Sequence, residues 1–205
     1  MIIAIDGPAA SGKGTLAKRL AKHLGFHHLD TGLLYRAVAA QMLHDRQDLS
    51  DNVAAADRAR TIDLAAFDTD FLKSNEVGSA ASRVAAYPAV RDAILSFQRE
   101  FAAQPPGAVL DGRDIGSFVC PNAEAKFFVT AAVETRAQRR FDEELSHGAA
   151  ADFNQILADL KARDERDATR AVAPMVQAED AHLLDTTNLS IDEAFRAALE
   201  IIGRT

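Results

Sequence analysis

Between an Ile-rich run and a helical pattern the chain reads Gly7-Pro8-Ala9-Ala10-Ser11-Gly12-Lys13-Gly14-Thr15. Glycines let a backbone turn its N–H groups inward around phosphate oxygens. The start of the following helix adds the positive end of its dipole, and Lys13 puts a point charge on the outer phosphates. The segment matches the phosphate-binding P-loop up to and including the lysine, so all nine residues are expected to cradle a nucleoside triphosphate. One position departs from the general pattern: Gly14 stands where a metal-binding Ser or Thr is usual, and the hydroxyl comes one residue later, at Thr15. A dinucleotide fingerprint fits less well. Gly12, Gly14 and Ala17 have its spacing, but they lie too far beyond the strand and enclose a lysine.

Two acidic clusters follow. Leu29-Asp30-Thr31-Gly32 leads to Tyr35-Arg36 one helical turn on, and Leu110-Asp111-Gly112-Arg113-Asp114 ends a later apolar run. Both fall where open parallel sheets bind ligands, outside the carboxyl ends of strands. Asp30 could equally serve as a helix N-cap and Asp111 as a turn former. Further on, Arg163, Arg166, Asp167 and Arg170 lie at helical offsets of three, four and seven, which puts them on one face. Surface pairing of Arg163 with Asp167 would explain that spacing, but three arginines on one face also suit a clamp for multiply charged phosphates. Arg136 and Arg140 are a second pair one turn apart, equally consistent with a solvated helix face. His27 and His28, adjacent in a strand, point to opposite faces and do not suggest a shared metal. Cys120 reads as a small buried residue.

The elements that must hold these groups alternate. Met1 to Asp6 is the continuous apolar run of a strand buried on both faces, and Lys13 to Leu24 is a helix with one inward stripe closed by Gly25. Further strands are expected at Phe26 to Asp30, Ala108 to Asp111, Lys126 to Thr130 and His182 to Asp185, with helical patterns between them. A final helix runs through Ile191, Ala194, Phe195, Ala198, Leu199 and Ile202, with Ser190 and Glu193 forming a capping box. Strand-helix alternation predicts an α/β fold with a central parallel sheet. Residues 48–103 are strand-poor, Ala-rich and charged, and form the candidate insertion in a single domain spanning 1–205.

Composition narrows the function. With 48% hydrophobic and 26% charged residues the chain is neither disordered nor of low complexity. A net charge of -7 argues against nonspecific binding to nucleic acid polymers or anionic membranes, so any anionic ligand must be held by local positive groups. A single cysteine excludes an internal disulfide, and neither a signal peptide nor a membrane span is expected, which points to a cytoplasmic protein. A guanine-reading Asn-Lys-x-Asp is absent from the sequence, which removes the GTPase switches.

In this order the motifs closely resemble those of the bacterial cytidylate kinases. The likeness takes in Ile5-Asp-Gly-Pro8, Gly12-Lys-Gly-Thr15, Leu29-Asp-Thr-Gly32 with Tyr35-Arg36, Ala81-Ser-Arg-Val-Ala85 and Pro88-Ala-Val-Arg91. It continues through Asp111-Gly-Arg-Asp114, Arg163-Asp-Glu-Arg-Asp167 and Arg170-Ala-Val-Ala-Pro174. The resemblance implies a P-loop kinase that moves the outer phosphoryl group of Mg-ATP to CMP or dCMP, acting as a monomer. It implies that Arg36, Arg113 and Arg170 hold the acceptor phosphate, with Thr31 beside them. Ser82, Arg91 and Asp114 would take the cytosine and Arg163 with Asp167 the sugar region, while Arg166 faces the transferred group. Lys13, Arg113, Arg166 and Arg170 would be catalytic, and Arg136 and Arg140 would lie on the ATP side. Thr15, Asp30 and Asp111 would meet Mg²⁺ directly or through water. A lid is implied near residues 147 to 170. Family members commonly carry several short strands before the Ala-Ser motif, and here only Ile62 to Lys73 is available for them. A kinase for UMP, AMP or a shikimate-like acceptor would keep the P-loop and arginines but lose the Ser82, Arg91 and Asp114 set. A non-catalytic nucleotide-binding regulator would need none of the acceptor-side arginines.

Overall fold

The computed structural model describes residues 1–146, 148 and 150–203, with only the backbone of Ala65, Thr69 and Asp70. The five strands are β1 (Ile2–Asp6), β2 (His27–Asp30), β3 (Ala108–Gly112), β4 (Ala125–Thr130) and β5 (His182–Asp185). They form one sheet in the order β2-β3-β1-β4-β5, and every pairing is parallel. The central strand β1 is the Ile-rich run, and Ile3, Ala4 and Ile5 have no exposed surface. Burial on both faces explains why it is uniformly apolar instead of alternating.

Helices cover both faces. On one side α1 (Lys13–Leu24) and α9 (Ile191–Ile202) pack Leu16, Leu20, Ala194 and Ala198 against Ile3, Ile5 and Phe127. The expected Ser190–Glu193 capping box closes the start of α9, and Gly25, at φ +69°, ends α1. On the other side α2 (Thr31–His44), α3 (Asn52–Arg60), α5 (Asn75–Val84) and α6 (Pro88–Ala102) share one cluster with Ala4 and Leu110. Val38, Met42, Val84, Val90 and Ile94 are its largely inaccessible centre. Residues 48–103 therefore pack helix on helix against α2.

The stretch Ile62 to Lys73, the one place left for the short strands that the resemblance implies, holds none among the described residues. It forms a 3-10 turn at Leu64–Ala66 and the short helix α4 (Thr69–Lys73). The pattern there is the reason: the buried Leu72 packs with Val77 and Ala40 along a helical face, and the stretch lacks the alternation of a half-buried strand.

Two more helices, α7 (Val133–Ser146) and α8 (Phe153–Thr169), pair through Ala137, Phe141, Ile156 and Leu160, a small cluster that also takes in Ala9 of the first loop. Asp152 caps α8 by accepting from the N–H groups of Asn154 and Gln155. Of the expected lid at 147 to 170, residues 147 and 149 lie outside the described residues. No helix among the described residues is long and apolar enough to cross a membrane.

Candidate active site

Parallel strands deliver the ends of β1, β2 and β3 to one edge of the sheet, and the cleft opens there. Its volume is about 310 Å³. The first wall is the loop from Gly7 to Gly12. Gly7 sits at φ +146°, where a Cβ would come within 2.0 Å of the Val129 carbonyl oxygen, so only glycine can pass that point. Gly12, at φ +89°, is the N-cap of α1 and offers no capping side chain, which leaves the first N–H groups of the helix free of a side-chain partner. Ala9, Ala10 and Lys13 line the cleft. Pro8 and Ser11 are buried, and the Ser11 hydroxyl has no partner, so any ligand contact from Ser11 must come from its backbone.

Two residues that sequence spacing did not single out brace this loop. Thr186, just after β5, donates its hydroxyl to the Ser11 carbonyl at 2.8 Å. Arg139 donates to the Thr186 carbonyl at 2.6 Å and its hydroxyl at 3.1 Å. Arg136 also serves the loop: it is buried and donates to the carbonyls of Ala131 (2.9 Å) and Ala9 (3.2 Å) and to Asp164 of α8 (2.7 Å). It does not line the cleft. Arg140 does, and its guanidinium holds Asn75 Oδ1 at 2.6 Å, the Lys73 carbonyl at 3.1 Å and Glu143 at 2.8 Å. Arg36 reaches the same turn from α2, donating to the carbonyls of Leu72 (2.6 Å) and Ser74 (3.1 Å).

The far wall joins α5, α6, the end of β3 and α8. Arg91 pairs with Asp114, and its guanidinium lies over the rings of Tyr35 and Phe118 at 5.5 and 5.7 Å. Arg170 donates to the other Asp114 oxygen at 3.2 Å and to the Ala173 carbonyl at 2.7 Å. Ser82 donates to Asp167 at 2.8 Å and accepts from Arg166 Nε at 3.0 Å. Arg113 Nε meets the second Asp167 oxygen at 3.0 Å, and Arg163 stands 3.8 Å from it. The shared face of Arg163, Arg166, Asp167 and Arg170 thus turns inward, and Asp167 is buried among cations instead of forming a surface pair.

Electrostatics mark the cleft as a seat for anions. Burial, reinforced by Arg113, lowers the Lys13 ammonium to a pKa of about 8, although Asp111 and Asp30 oppose the shift. Burial brings Arg36 to about 10, and burial with Arg113 brings Arg163 to about 9. Burial resists ionisation of Asp167, but Arg113 and Arg163 outweigh it and hold that carboxyl below its ordinary value. Asp114 goes the other way, raised by burial against the pull of Arg91 and Arg170. Cations that burial makes resist their own charge gain most from a polyanion placed among them.

The candidate metal ligands separate. Asp30 lines the cleft while its Oδ1 caps α2 by accepting from Gly32 N at 3.0 Å. Thr15 is exposed and lies off the cleft lining. Asp111 is 1% exposed and faces His28 and Lys13, while its backbone carbonyl accepts from the Thr31 hydroxyl at 2.8 Å. Among the described residues, no group of three or more His, Cys, Asp or Glu is arranged to hold a metal ion. Mg²⁺ keeps several waters and is usually bound by one or two carboxylates together with substrate phosphates. Asp30 on the cleft wall fits that mode. Thr15 does not reach the cleft, and Asp111 is committed to its neighbours.

A family model described as cytidylate kinase matches residues 3–204. Among curated relatives, the cytidylate kinases of Rhodopseudomonas palustris (strain TIE-1) and Bradyrhizobium sp. (strain ORS 278) are 60% and 59% identical to this chain. Each match runs over 202 residues, 98% of this chain and 95% of the relative. The cytidylate kinase of Brucella suis biovar 1 is 58% identical, over 98% of this chain and 92% of the relative. A crystal structure of an uncharacterized protein from Eubacterium ventriosum superposes with a TM-score of 0.61 at 16% identity. It covers 100% of this chain and 99% of that one, a likeness of fold alone.

Proposed function

The chain belongs to the cytidylate kinase family, and we propose that its cleft transfers the outer phosphoryl group of Mg-ATP to CMP or dCMP, giving CDP or dCDP. One observation carries the assignment of roles: Lys13, Arg36, Ser82, Arg91, Arg113, Asp114 and Arg170, drawn from separate stretches of sequence, line a single cleft. The P-loop and Lys13 take the triphosphate of ATP. Arg36, Arg113 and Arg170 take the acceptor phosphate, and the Ser82, Arg91 and Asp114 wall takes the cytosine.

Phosphoryl transfer passes through a loose transition state whose charge spreads over the transferred oxygens, so positioning and cationic stabilisation supply most of the catalysis. The acceptor is itself a phosphate. With a second pKa of about 6 it is largely dianionic at neutral pH and can attack without a general base. Lys13, Arg113, Arg163 and Arg166 surround the path between donor and acceptor with positive charge. Asp30, on the cleft wall, would hold a Mg²⁺ ion that enters with ATP, and that ion would supply further charge neutralisation. Arg136 and Arg139 hold the loop in shape by binding its carbonyls or their neighbours, and Arg140 with Arg36 fixes the turn at 72–75 beside the acceptor site.

A coupled assay of ADP release across CMP, dCMP, UMP and AMP tests the reading. CMP and dCMP should lead clearly, and equal turnover of UMP or AMP would overturn the acceptor assignment.

A further inference from the structure

His28 lies on the edge strand β2, one side chain away from the P-loop lysine. Its Nε2 is 2.9 Å from Asp111 Oδ1, and the other Asp111 oxygen is 3.8 Å from Lys13 Nζ. Parallel pairing of β2 with β3 creates the first contact, since Asp30 stands opposite Asp111 and His28 reaches forward along the sheet. The Asp111 carboxylate lies against the first turn of α1, where a Cβ on residue 14 would make ordinary van der Waals contact with Oδ2 at 3.6 Å.

Asp111 is 1% exposed, so water cannot satisfy its carboxylate. Among the described residues His28 is the sole hydrogen-bond donor to its side-chain oxygens. Against an ionised carboxylate the facing ring nitrogen must carry the proton, which makes Nε2 the donor. Take that donor away and the carboxylate is free to turn about its own χ angles, away from the lysine. Lys13 would then face Arg113 and Arg163 with its nearest counter-charge displaced.

We infer that His28 is a positioning residue of the phosphoryl-transfer site, holding Asp111 so that Asp111 holds Lys13 against the triphosphate. The inference rests on the proposed role of Lys13 in binding ATP, but not on the identity of the acceptor. Residues that orient a ligating or catalytic group typically cost about tenfold or more when removed.

The test uses the full-length protein with His28→Leu, His28→Ala and His28→Gln. Glutamine places an amide N–H close to where the imidazole Nε2 lies. ATP affinity is measured by calorimetry in EDTA, without metal and without acceptor, beside kcat and the KM for CMP. His28→Leu and His28→Ala should each weaken ATP binding and lower kcat by about tenfold, leave the KM for CMP within about a factor of two, and be largely rescued in His28→Gln. In an Asp111→Asn background His28→Leu should add nothing, because the two residues act as one unit. Unchanged ATP affinity in both apolar variants, effects that multiply in the double variant, or equal losses in Leu and Gln that follow the melting temperature would each overturn the inference. Failure of wild-type CMP phosphorylation would instead strike the proposed function and leave the ATP-binding comparison readable.

Discussion

The Ser82 hydroxyl donates to the Asp167 carboxylate across 2.8 Å, joining α5 to α8. Arg113 donates to the other oxygen of the same carboxylate, with Arg163 3.8 Å from it, so Asp167 is the point where α8 is anchored to the end of β3. Replacing it with Asn keeps the shape and removes the charge, leaving Arg113 and Arg163 without that counter-charge. Asp167→Asn should raise the KM for CMP at least about tenfold while the KM for ATP changes little. Breaking a buried pair by removing one partner can cost about 3–5 kcal/mol, far more than a neutral hydrogen bond. Ser82→Ala loses the bonds to Asp167 and from Arg166 Nε but leaves Asp167 paired with Arg113, and should therefore do less. Steady-state kinetics of both variants decide it, and a larger effect from Ser82→Ala would contradict the ranking.

Ligand-dependent protection of α8 follows from the same anchoring. Arg163, Arg166 and Arg170 line the cleft, and in the proposed assignment anions on both sides of them add to the contacts already present. Hydrogen exchange over residues 150–170 should slow more with CMP and a non-hydrolysable ATP analogue together than with either alone. Such closure would also keep water from competing as the acceptor. Identical exchange in all four conditions would mean a helix fixed by Asp167 and Asp164 alone.

Lys13→Met should abolish catalysis and stabilise the fold. Loss of one electrostatic stabiliser costs about a hundredfold or more in turnover. The lysine's folded pKa of about 8 lies below its ordinary 10.5, so its charge opposes folding throughout the range below about pH 8. An apolar side chain of similar length removes that opposition, and the melting temperature at pH 7 should rise. In the wild type, kcat/KM for ATP should fall above about pH 8 as the free ammonium deprotonates. A flat profile up to pH 10 would place the Lys13 pKa near its ordinary value.

Base selectivity should reside in the Arg91–Asp114 pair. Cytosine presents an amino donor at position 4 and an unprotonated nitrogen at position 3, so a carboxylate acceptor beside a cationic donor matches it. Uracil would set a carbonyl against the carboxylate, and buried mismatches of this kind discriminate strongly. Asp114→Asn should narrow the CMP to UMP ratio of kcat/KM more than it alters ATP affinity. Competition assays with both acceptors measure this, and an unchanged ratio would remove Asp114 from base recognition.

Asp6, directly before the P-loop, supplies a pH signature of its own. Burial raises its carboxyl from 3.8 to about 7, overcoming the backbone N–H groups of Ile115 (2.7 Å) and Gly116 (2.8 Å) that favour the ionised form. The folded state therefore holds its proton more tightly than the unfolded chain. That contribution to stability is complete below about pH 4 and is lost as pH rises through about 7. Urea unfolding of wild type and Asp6→Asn should show the wild-type advantage shrinking between pH 4 and 8. A constant difference would mean that Asp6 titrates normally.

Local chemistry made much of this protein legible in its sequence. The P-loop, the limits of α1 and α9, the capping box at Ser190 and the five strands depend on neighbours within a few residues, and apolar periodicity reports them directly. The shared face of Arg163, Arg166, Asp167 and Arg170 could be read for the same reason, because helical geometry fixes which residues share a side. What those faces meet is another matter. Arg136, Arg139 and Arg140 all lie on α7, yet only the packing of α7 on α8 and on the first loop decides that Arg136 is buried under Ala9, Arg139 braces Thr186 and Arg140 lines the cleft. The helical packing of residues 48–103 against α2 likewise depends on partners far along the chain. His28 shows the limit most clearly. A period of two tells which side of a strand a histidine occupies, but its partner Asp111 comes 83 residues later, brought alongside by the pairing of β2 with β3. Strand order and register are collective outcomes of burying the whole sheet, and no local pattern encodes them.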